Sequence, residues 1–439
     1  MDAEIIVVLM FVSLFTLLIL GLPLAFSLGG VSLLFSVFLW GPESLFLVVS
    51  RAIGVIHNYV LIAVPLFMFM ASILQNSEIA DDLFESIHIW MGPLRGGLAI
   101  GTILICTAMA AMSGVSAAAV LTMGTLALPA MLGRNYDKSI ALGAITAGGA
   151  LGQLIPPSLL MILYGAMAGV SVGKLFIGGI LPGLLLAGLF IAYVLIRSFI
   201  QKDLCPALPL EKRQAISVVD VLVSIKAVIL PVSLIVGVLG SIFAGIATPT
   251  EAAAVGAFGS IIIAALHRRL TWETFKLSCY NTLKSSCMVI WVIIGSLMFV
   301  SVYFAVGGSD LVKSLLIDTG LNRWIILIGM QILLFLLGCM MDTTGVVMLC
   351  TPLFVPIIKE LGFDPLWFGV LFIVNLEMAY LTPPFGYNLF YLKSVAPPDV
   401  TMADIYMSVG PFICLQAAGL FLCMLFPEII TWLPAKIMG

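Results

Sequence analysis

The chain has 439 residues, 62% of them hydrophobic and only 9% charged, with a formal net charge of -3. Soluble domains carry roughly 25% charged residues, so a soluble globular protein is excluded, and nothing in the charge balance points to nucleic acid. Apolar runs of about 18 residues or more, each long enough to cross a ~30 Å hydrocarbon core, recur from end to end. They predict an all-α polytopic membrane protein with no sizeable soluble domain.

In chain order, "MDAEIIVVLM" lacks the basic n-region and small-residue cleavage site of a secretory signal, and the first apolar run reads as a retained span. Two spans are followed by a third at about 59–75 and then by an amphipathic arm, "NSEIADDLFESIHIW". Within the arm, "DDLFE" (Asp81 to Glu85) touches on the Asp-rich Mg²⁺ motif of prenyl-transferring enzymes but lacks its final Asp. It reads as the polar face of an interfacial helix. Next comes an apolar run too long for one span, interrupted by a polar knot at 110–120, "AAMSGVSAAAV". A re-entrant hairpin with its tip at the knot is expected. In "GQLIPPSLL" (Gly152 to Leu160) two prolines stand inside an apolar run. Proline lacks the N–H and clashes with the carbonyl four residues back, at about 3 kcal/mol or more, so a broken helix is expected there. A last span closes this half. The polar stretch from Arg197 to Gln214 marks the inter-repeat loop, bounded at 201–218, and its basic residues place it in the cytoplasm.

The second half repeats the first. Spans at 222–243, 249–266 and 286–304 precede an arm, "GGSDLVKSLLIDTG", a knot at 338–348, "GCMMDTTGVVM", and a second double proline, "YLTPPFGYN". Pro129 precedes Pro156 by 27 residues, as Pro356 precedes Pro383, and Asp137 and Tyr164 meet Asp364 and Tyr391 at the same offset of 227. Pro23 and Gly30 meet Pro249 and Gly256 at 226, and Pro182 meets Pro411 at 229. Two repeats follow, about 1–200 and about 219–435. Placing "HRR" (His267 to Arg269) and "GRNYDK" (Gly133 to Lys138) inside gives the halves opposite starting sides. Inverted repeats are a common build of secondary transporters, with substrate near the midplane at discontinuous helices.

The breaks suggest chemistry. Unwinding at Pro156-Pro157 frees carbonyls of the preceding turn, which suit a hard cation such as Na⁺, and Gly148, Gly149 and Gly152 allow close backbone approach. Half-helix N-termini suit a carboxylate. Two such centres are expected: Ser113, Gly114 and Ser116 facing the first break, and Asp342, Thr343 and Thr344 facing the second. The plainer roles are a packing kink for the prolines, small residues at a tight helix contact for the serines, and an N-cap for Asp342. A carboxylate at membrane depth is costly and usually functional. Glu377 in "VNLEMAY", with Asn375 nearby, is either a proton-coupling site or an acid hydrogen-bonded within the scaffold. Glu251 in "TPTEAAA" needs no more than a capping-box role. The eight cysteines form no CxxC pair and the three histidines show no metal spacing. No HExxH, GxSxG or Walker sequence occurs, so neither familiar hydrolysis nor ATP drive has a motif. Two alternatives remain: a stand-alone cation-coupled carboxylate transporter or antiporter, proton-linked through Glu377, and an intramembrane enzyme using Asp342 and Glu377 as paired acids.

Four stretches carry a resemblance. "GAITAGGALGQLIPPSLLMILYGAMAGVSVGKLFIGGILPG", "ATPTEAAAVGAFG", "GCMMDTTGVVMLCTPLFVPI" and "LTPPFGYNLFYLK" resemble the large membrane (M, DctM-like) subunit of the tripartite ATP-independent periplasmic (TRAP) transporters. The likeness covers essentially the whole chain. It implies a secondary active transporter of the bacterial or archaeal cytoplasmic membrane, with sodium as coupling ion, no cofactor, and small organic acids as substrates. It implies an extracytoplasmic binding protein and a separate small four-span subunit as partners, since the chain begins at the first span of the large subunit. It implies an elevator fold, in which hairpins and broken helices slide against a scaffold. Carried over by position, sodium would be held by Ser113 and Ser116 with Gly152, Gln153 and Pro156, and by Asp342, Thr343 and Thr344 with Thr382 and Pro383. Substrate would lie between the tips, at Ser113, Gly114, Ser116, Thr343 and Thr344, with Ser158 and Asn388 just past each break as further contacts.

Overall fold

The computed structural model describes residues 3–77, 79–201, 203–207, 218–308, 311–312 and 320–438. The described residues outside loops and turns are helical. The first half comprises α1 (Ala3–Ile19), α2 (Leu24–Trp40), α3 (Phe46–Ile56), α4 (Ala63–Asn76), α5 (Ile79–Met91), α6 (Gly97–Ser113), α7 (Ser116–Leu132), α8 (Lys138–Ala150), α9 (Leu159–Ala168) and α10 (Val172–Ile200). The second comprises α11 (Val218–Phe243), α12 (Pro249–Leu266), α13 (Trp272–Ala305), α14 (Arg323–Met340), α15 (Thr343–Glu360), α16 (Pro365–Ala379), α17 (Tyr387–Val395), α18 (Met402–Leu425) and α19 (Glu428–Met438). Most of the second arm and part of the inter-repeat loop, Lys202 included, lie outside the described residues.

Among the described residues, seven helices are long and apolar enough to cross a membrane. Large apolar side chains cover the outside: Phe38 is 77% exposed and Phe46 75%, whereas Phe372 inside is 0%. Water would not tolerate such a surface, and lipid does. The broken elements cannot cross singly. The 13 residues of α8 rise only about 20 Å at 1.5 Å each, against a core of ~30 Å. With α9 beyond the break the path is completed, and α16 with α17 repeats the arrangement.

Local sequence explains the starts. Asp137 caps α8 by accepting from the Ser139 and Ile140 N–H groups, and Asp364 caps α16 through the Leu366 N–H. Ser158 restarts α9 by accepting from the Met161 N–H. Thr248 and Glu251 form the expected capping box on α12. Asp82 on the arm α5 accepts from Arg269 at 3.0 Å, an ion pair tying the arm to the loop after α12.

One element departs from the sequence reading. The third span of the second half begins at Trp272 rather than near 286, making α13 a 34-residue helix. Its start is fixed by Thr271, whose side chain accepts from the Thr274 N–H. The matching stretch of the first half is two helices, α3 and α4, parted at His57 and Asn58, where Asn58 caps the new start through the Val60 N–H. The polar first half of α13 hides its helical register from a search for apolar runs.

The two pre-break helices form the centre. Every residue of α8 from Ile140 to Ala150 is buried. Lipid tails are as apolar as side chains, so burial alone gives little drive, and close van der Waals packing decides helix contacts. Small residues serve it here: a Cβ on Gly149 would collide with Val120 of α7, and one on Gly148 would lie 3.1 Å from Cys106 Cβ of α6. The halves also interlock. α15 packs on α9, and α17 on α7, so each hairpin's second arm lies on the post-break helix of the other half. The Tyr164 hydroxyl donates to the Pro365 carbonyl at 2.7 Å, crossing the same boundary.

Candidate transport site

Two helix pairs end in tight tips. α6 and α7 are joined by Gly114 and Val115, and α14 and α15 by Met341 and Asp342. Gly114 has φ +61, and a Cβ there would collide with the Pro157 carbonyl oxygen. Only glycine adopts this conformation cheaply and allows this approach. On the other side, a Cβ on Gly152 would lie 3.3 Å from the Ser116 N and Cα and from the Val115 carbonyl carbon. The first tip is thus seated backbone to backbone on the first break.

The second tip is held differently. Asp342 caps α15 by accepting from the Thr344 N–H (3.0 Å), and its other oxygen accepts from the Tyr380 hydroxyl at 2.9 Å. Thr382 and Pro383 do not reach the cavity: the Thr382 hydroxyl donates to the Met378 carbonyl at 2.9 Å, and Pro383 and Pro384 are exposed. The Tyr380 bond is the side-chain contact that ties this tip to the second break. The second tip has no glycine where Gly114 stands in the first, so its backbone cannot come as close.

Both tips face one cavity of about 320 Å³. One wall is Gly114, Val115, Ser116 and Gln153 with Asp342, Thr343, Thr344, Tyr380 and Tyr391. The facing wall is α4 and α13, which contribute Met68, Ser72, Gln75, Asn281, Thr282 and Ser285. Of the expected residues, the structure brings together Gly114, Ser116, Gln153, Asp342, Thr343 and Thr344. The Ser113 side chain lies outside the described residues. Gly152 and Pro156 sit buried behind the first tip. Ser158 and Asn388 are fully buried and do not line the cavity. The Ser158 hydroxyl donates to the Gln153 carbonyl, which has lost its helix partner because Pro157 has no N–H. Asn388 is engaged by Ser116 (2.6 Å) and by the Thr146 carbonyl (3.1 Å).

The charge balance of this cavity is unusual for an anion site. No Arg, Lys or His is among the described residues lining it, and its one ionisable acid is Asp342. Positive potential comes only from the N-termini of α7 and α15 at the tips, each equivalent to roughly half a charge. The oxygen donors fit a hard cation. Gln153 Oε1 has no hydrogen-bond partner although the residue is only 5% exposed, and the Ser116 proton is already given to Asn388. Hydroxyl, amide and carboxylate oxygens are the ligand set that Na⁺-like ions prefer. Among the described residues no three His, Cys, Asp or Glu form a cluster, so a transition-metal centre is not what these residues offer.

Glu377 is elsewhere. It is fully buried, both its oxygens lack hydrogen-bond partners, and it does not line the cavity. The structure does not place it in one site with Asp342. Sequence reading missed the α4–α13 wall. The signal was present: Asn281, Thr282 and Ser285 at i, i+1 and i+4 fall on one helical face, just before a helix turns apolar. Asn281→Ala is expected to raise the substrate KM of uptake about tenfold, one hydrogen bond of about 1 kcal/mol or slightly more, without changing abundance in the membrane. Uptake kinetics in membrane vesicles check this.

A multi-span helical body with two hairpin tips and two broken helices around a central cavity defines a membrane transporter. The fold is shared with the Alcanivorax borkumensis YdaH transporter (TM-score 0.61, 12% identity, 92% of this chain and 98% of that one). It is shared too with Neisseria gonorrhoeae MtrF (TM-score 0.62, 12% identity, 88% and 85%). Residues 11–429 match the family described as the tripartite ATP-independent periplasmic transporter, DctM component. The C4-dicarboxylate TRAP transporter large permease protein DctM of Pseudomonas aeruginosa is 32% identical over 92% of each chain. The ectoine TRAP transporter large permease protein TeaC of Halomonas elongata is 29% identical over 95% of this chain and 96% of its own. The isethionate TRAP transporter permease protein DctMQ of Oleidesulfovibrio alaskensis is 31% identical over 94% of this chain, which spans 64% of that longer protein. The chain belongs to the DctM family and is a TRAP transporter large permease subunit, a transporter and not an enzyme.

Proposed function

We propose that this permease imports a small organic acid together with sodium, the acid being delivered by an extracytoplasmic binding protein. The observation that carries the proposal is the cavity's charge. An anion about 6 Å from the Asp342 carboxylate meets roughly 3 kcal/mol of repulsion at an effective dielectric of about 20. The helix N-termini offset part of this, and no basic side chain among the described lining residues offsets the rest. An anion enters such a site favourably only with a cation, which makes coupling a consequence of the lining rather than an added device. The ions would be held by Ser113, Ser116, Gly152, Gln153 and Pro156 at the first tip. At the second tip they would be held by Asp342, Thr343 and Thr344, with Thr382 and Pro383 behind. The carboxylate would accept from N–H groups at the starts of α7 and α15 and from the threonine hydroxyls.

The described elements of the halves follow a similar order, and we take them as inverted repeats whose hairpins re-enter the membrane. In the elevator movement that follows, α6–α9 and α14–α17 slide against a scaffold that includes α4 and α13. A separate small four-span subunit is the expected membrane partner, and the longer DctMQ relative fits that pairing. Relatives are named for C4-dicarboxylate, ectoine and isethionate, so family membership does not select the acid. A cavity of largely apolar wall, with hydroxyls, amides and one carboxylate as its polar groups, leaves the choice largely to the binding protein.

The test is uptake by proteoliposomes holding the permease and its small subunit, supplied with loaded binding protein. Uptake should require an inward sodium gradient and collapse with a sodium ionophore. Undiminished uptake with choline in place of sodium refutes the coupling. Undiminished uptake without the binding protein and small subunit refutes the tripartite reading in favour of a stand-alone carrier.

A further inference from the structure

Asn388 lies in the second half, on α17, yet both ends of its side chain bond to the first half. Its orientation follows from chemistry. The Thr146 carbonyl can only accept, so the amide nitrogen faces it (3.1 Å), and the Asn388 oxygen faces Ser116 and must accept its proton (2.6 Å). Both side chains are buried, Asn388 fully and Ser116 to 2% exposure, so an unmet partner at either would be costly.

The path does not stop there. The Asn388 backbone N–H donates to the Tyr380 carbonyl (3.3 Å). That carbonyl is left open because Pro384, four residues on, has no N–H to give it. The Tyr380 hydroxyl in turn donates to Asp342 Oδ1 (2.9 Å). The Tyr380 ring is steadied by stacking on Tyr387 at 5.1 Å between centroids. From Ser116 at the first tip to Asp342 at the second, the connection runs through two residues of the second break. Hydrogen-bonded networks of packed groups with more than one arrangement are the kind of structure through which sites couple.

We propose that Asn388 is a positioning residue that couples the two tips, so that a cation bound at one raises the affinity for a cation at the other. It touches neither ion. It fixes the Ser116 hydroxyl with its lone pairs toward the first centre, and through Tyr380 it holds the Asp342 carboxylate at the second. A cation drawing on Ser116 strengthens its O–H as a donor, tightens the Asn388 bond and stabilises the Tyr380 position that orients Asp342. The coupling is reciprocal, since binding free energies link both ways. This inference rests on the sodium-coupled reading above.

The experiment is an equilibrium binding isotherm of radioactive sodium alone on the purified permease complex, for the wild type, Asn388→Leu and Tyr380→Phe. The wild type should bind with a Hill coefficient near 2, about 2 being the ceiling for two sites. Asn388→Leu, which keeps the branched shape and removes every side-chain hydrogen bond, should lower the coefficient to about 1 and raise the half-saturating sodium about tenfold, within the usual range of coupling. Tyr380→Phe keeps the stacked ring and deletes only the bond to Asp342, and it should lower the coefficient in the same way. A merely structural role would lower the amount of protein and leave the steepness alone. Retention of the wild-type coefficient by Tyr380→Phe overturns the proposal, and this variant decides the matter if Asn388→Leu does not reach the membrane. A wild type that binds no sodium instead overturns the functional reading itself, and this inference with it.

Discussion

Asp342→Ala is expected to abolish the proposed sodium-driven uptake while the permease still reaches the membrane in normal amounts. The two halves of this expectation have separate causes. Structurally, the alanine removes an N-cap worth about 1 kcal/mol and leaves the Tyr380 hydroxyl without its acceptor (2.9 Å). A helix packed as α15 is, with a continuous run from Thr343 to Thr351 buried, tolerates that. Functionally, it removes the only ionisable acid among the described cavity-lining residues. A hydrogen-bond or ligand contact to a charged group is worth about 1.5–3 kcal/mol, so sodium affinity should fall about tenfold to a hundredfold. Asp342→Asn separates the causes. With its one oxygen on the Thr344 N–H asparagine still caps α15, and its amide nitrogen then donates to the Tyr380 hydroxyl, which turns to accept, so abundance should stay near that of the wild type while uptake is lost. Normal uptake by Asp342→Asn, measured in proteoliposomes across a sodium titration, contradicts the role given to the charge.

Gly114→Ala has the second largest expected effect, with no change of charge at all. The added methyl collides with the Pro157 carbonyl oxygen, and the backbone stands at φ +61, which costs a residue with a Cβ roughly 1–2 kcal/mol. The tip must retreat from the break, taking Ser116 with it. A misplacement of about 1 Å in a positioned constellation can cost about a hundredfold, and a loss of uptake of that order is expected. Gly169→Ala is the matched control. Its φ is +67 and nothing lies within 4 Å of the added Cβ, so it bears the same backbone cost without the collision. Uptake near the wild-type rate for Gly169→Ala beside a severe loss for Gly114→Ala isolates the contact of tip and break. Equal effects of the two would show that the contact does not matter.

The sequence showed the helical breaks and tips because their signals are covalent. Pro156-Pro157 and Pro383-Pro384 cannot continue a helix, and Gly114 and Asp342 stand where the apolar runs turn polar. It also showed the family, through motifs spanning both halves. It did not show the start of α13 or the wall that α13 and α4 make. A search for apolar runs passes over a helix whose first half is polar, and Asn281 became informative only once the facing tips were in place. Nor could it separate residues that face the cavity from residues that hold those residues. Ser158 and Asn388 stand beside the breaks, as cavity contacts should, but their hydrogen bonds are spent on Gln153, Met161, Ser116 and Thr146. Hydrogen-bond partners hundreds of positions apart are a property of the interlocked halves.

The most direct test of the shared chamber is a density map of the permease complex with sodium and a loaded substrate. Substrate density lying between Gly114–Ser116 and Asp342–Thr344, with ion density against each tip, is the predicted result. Substrate density bound away from both tips, with the cavity between them filled by solvent alone, contradicts it.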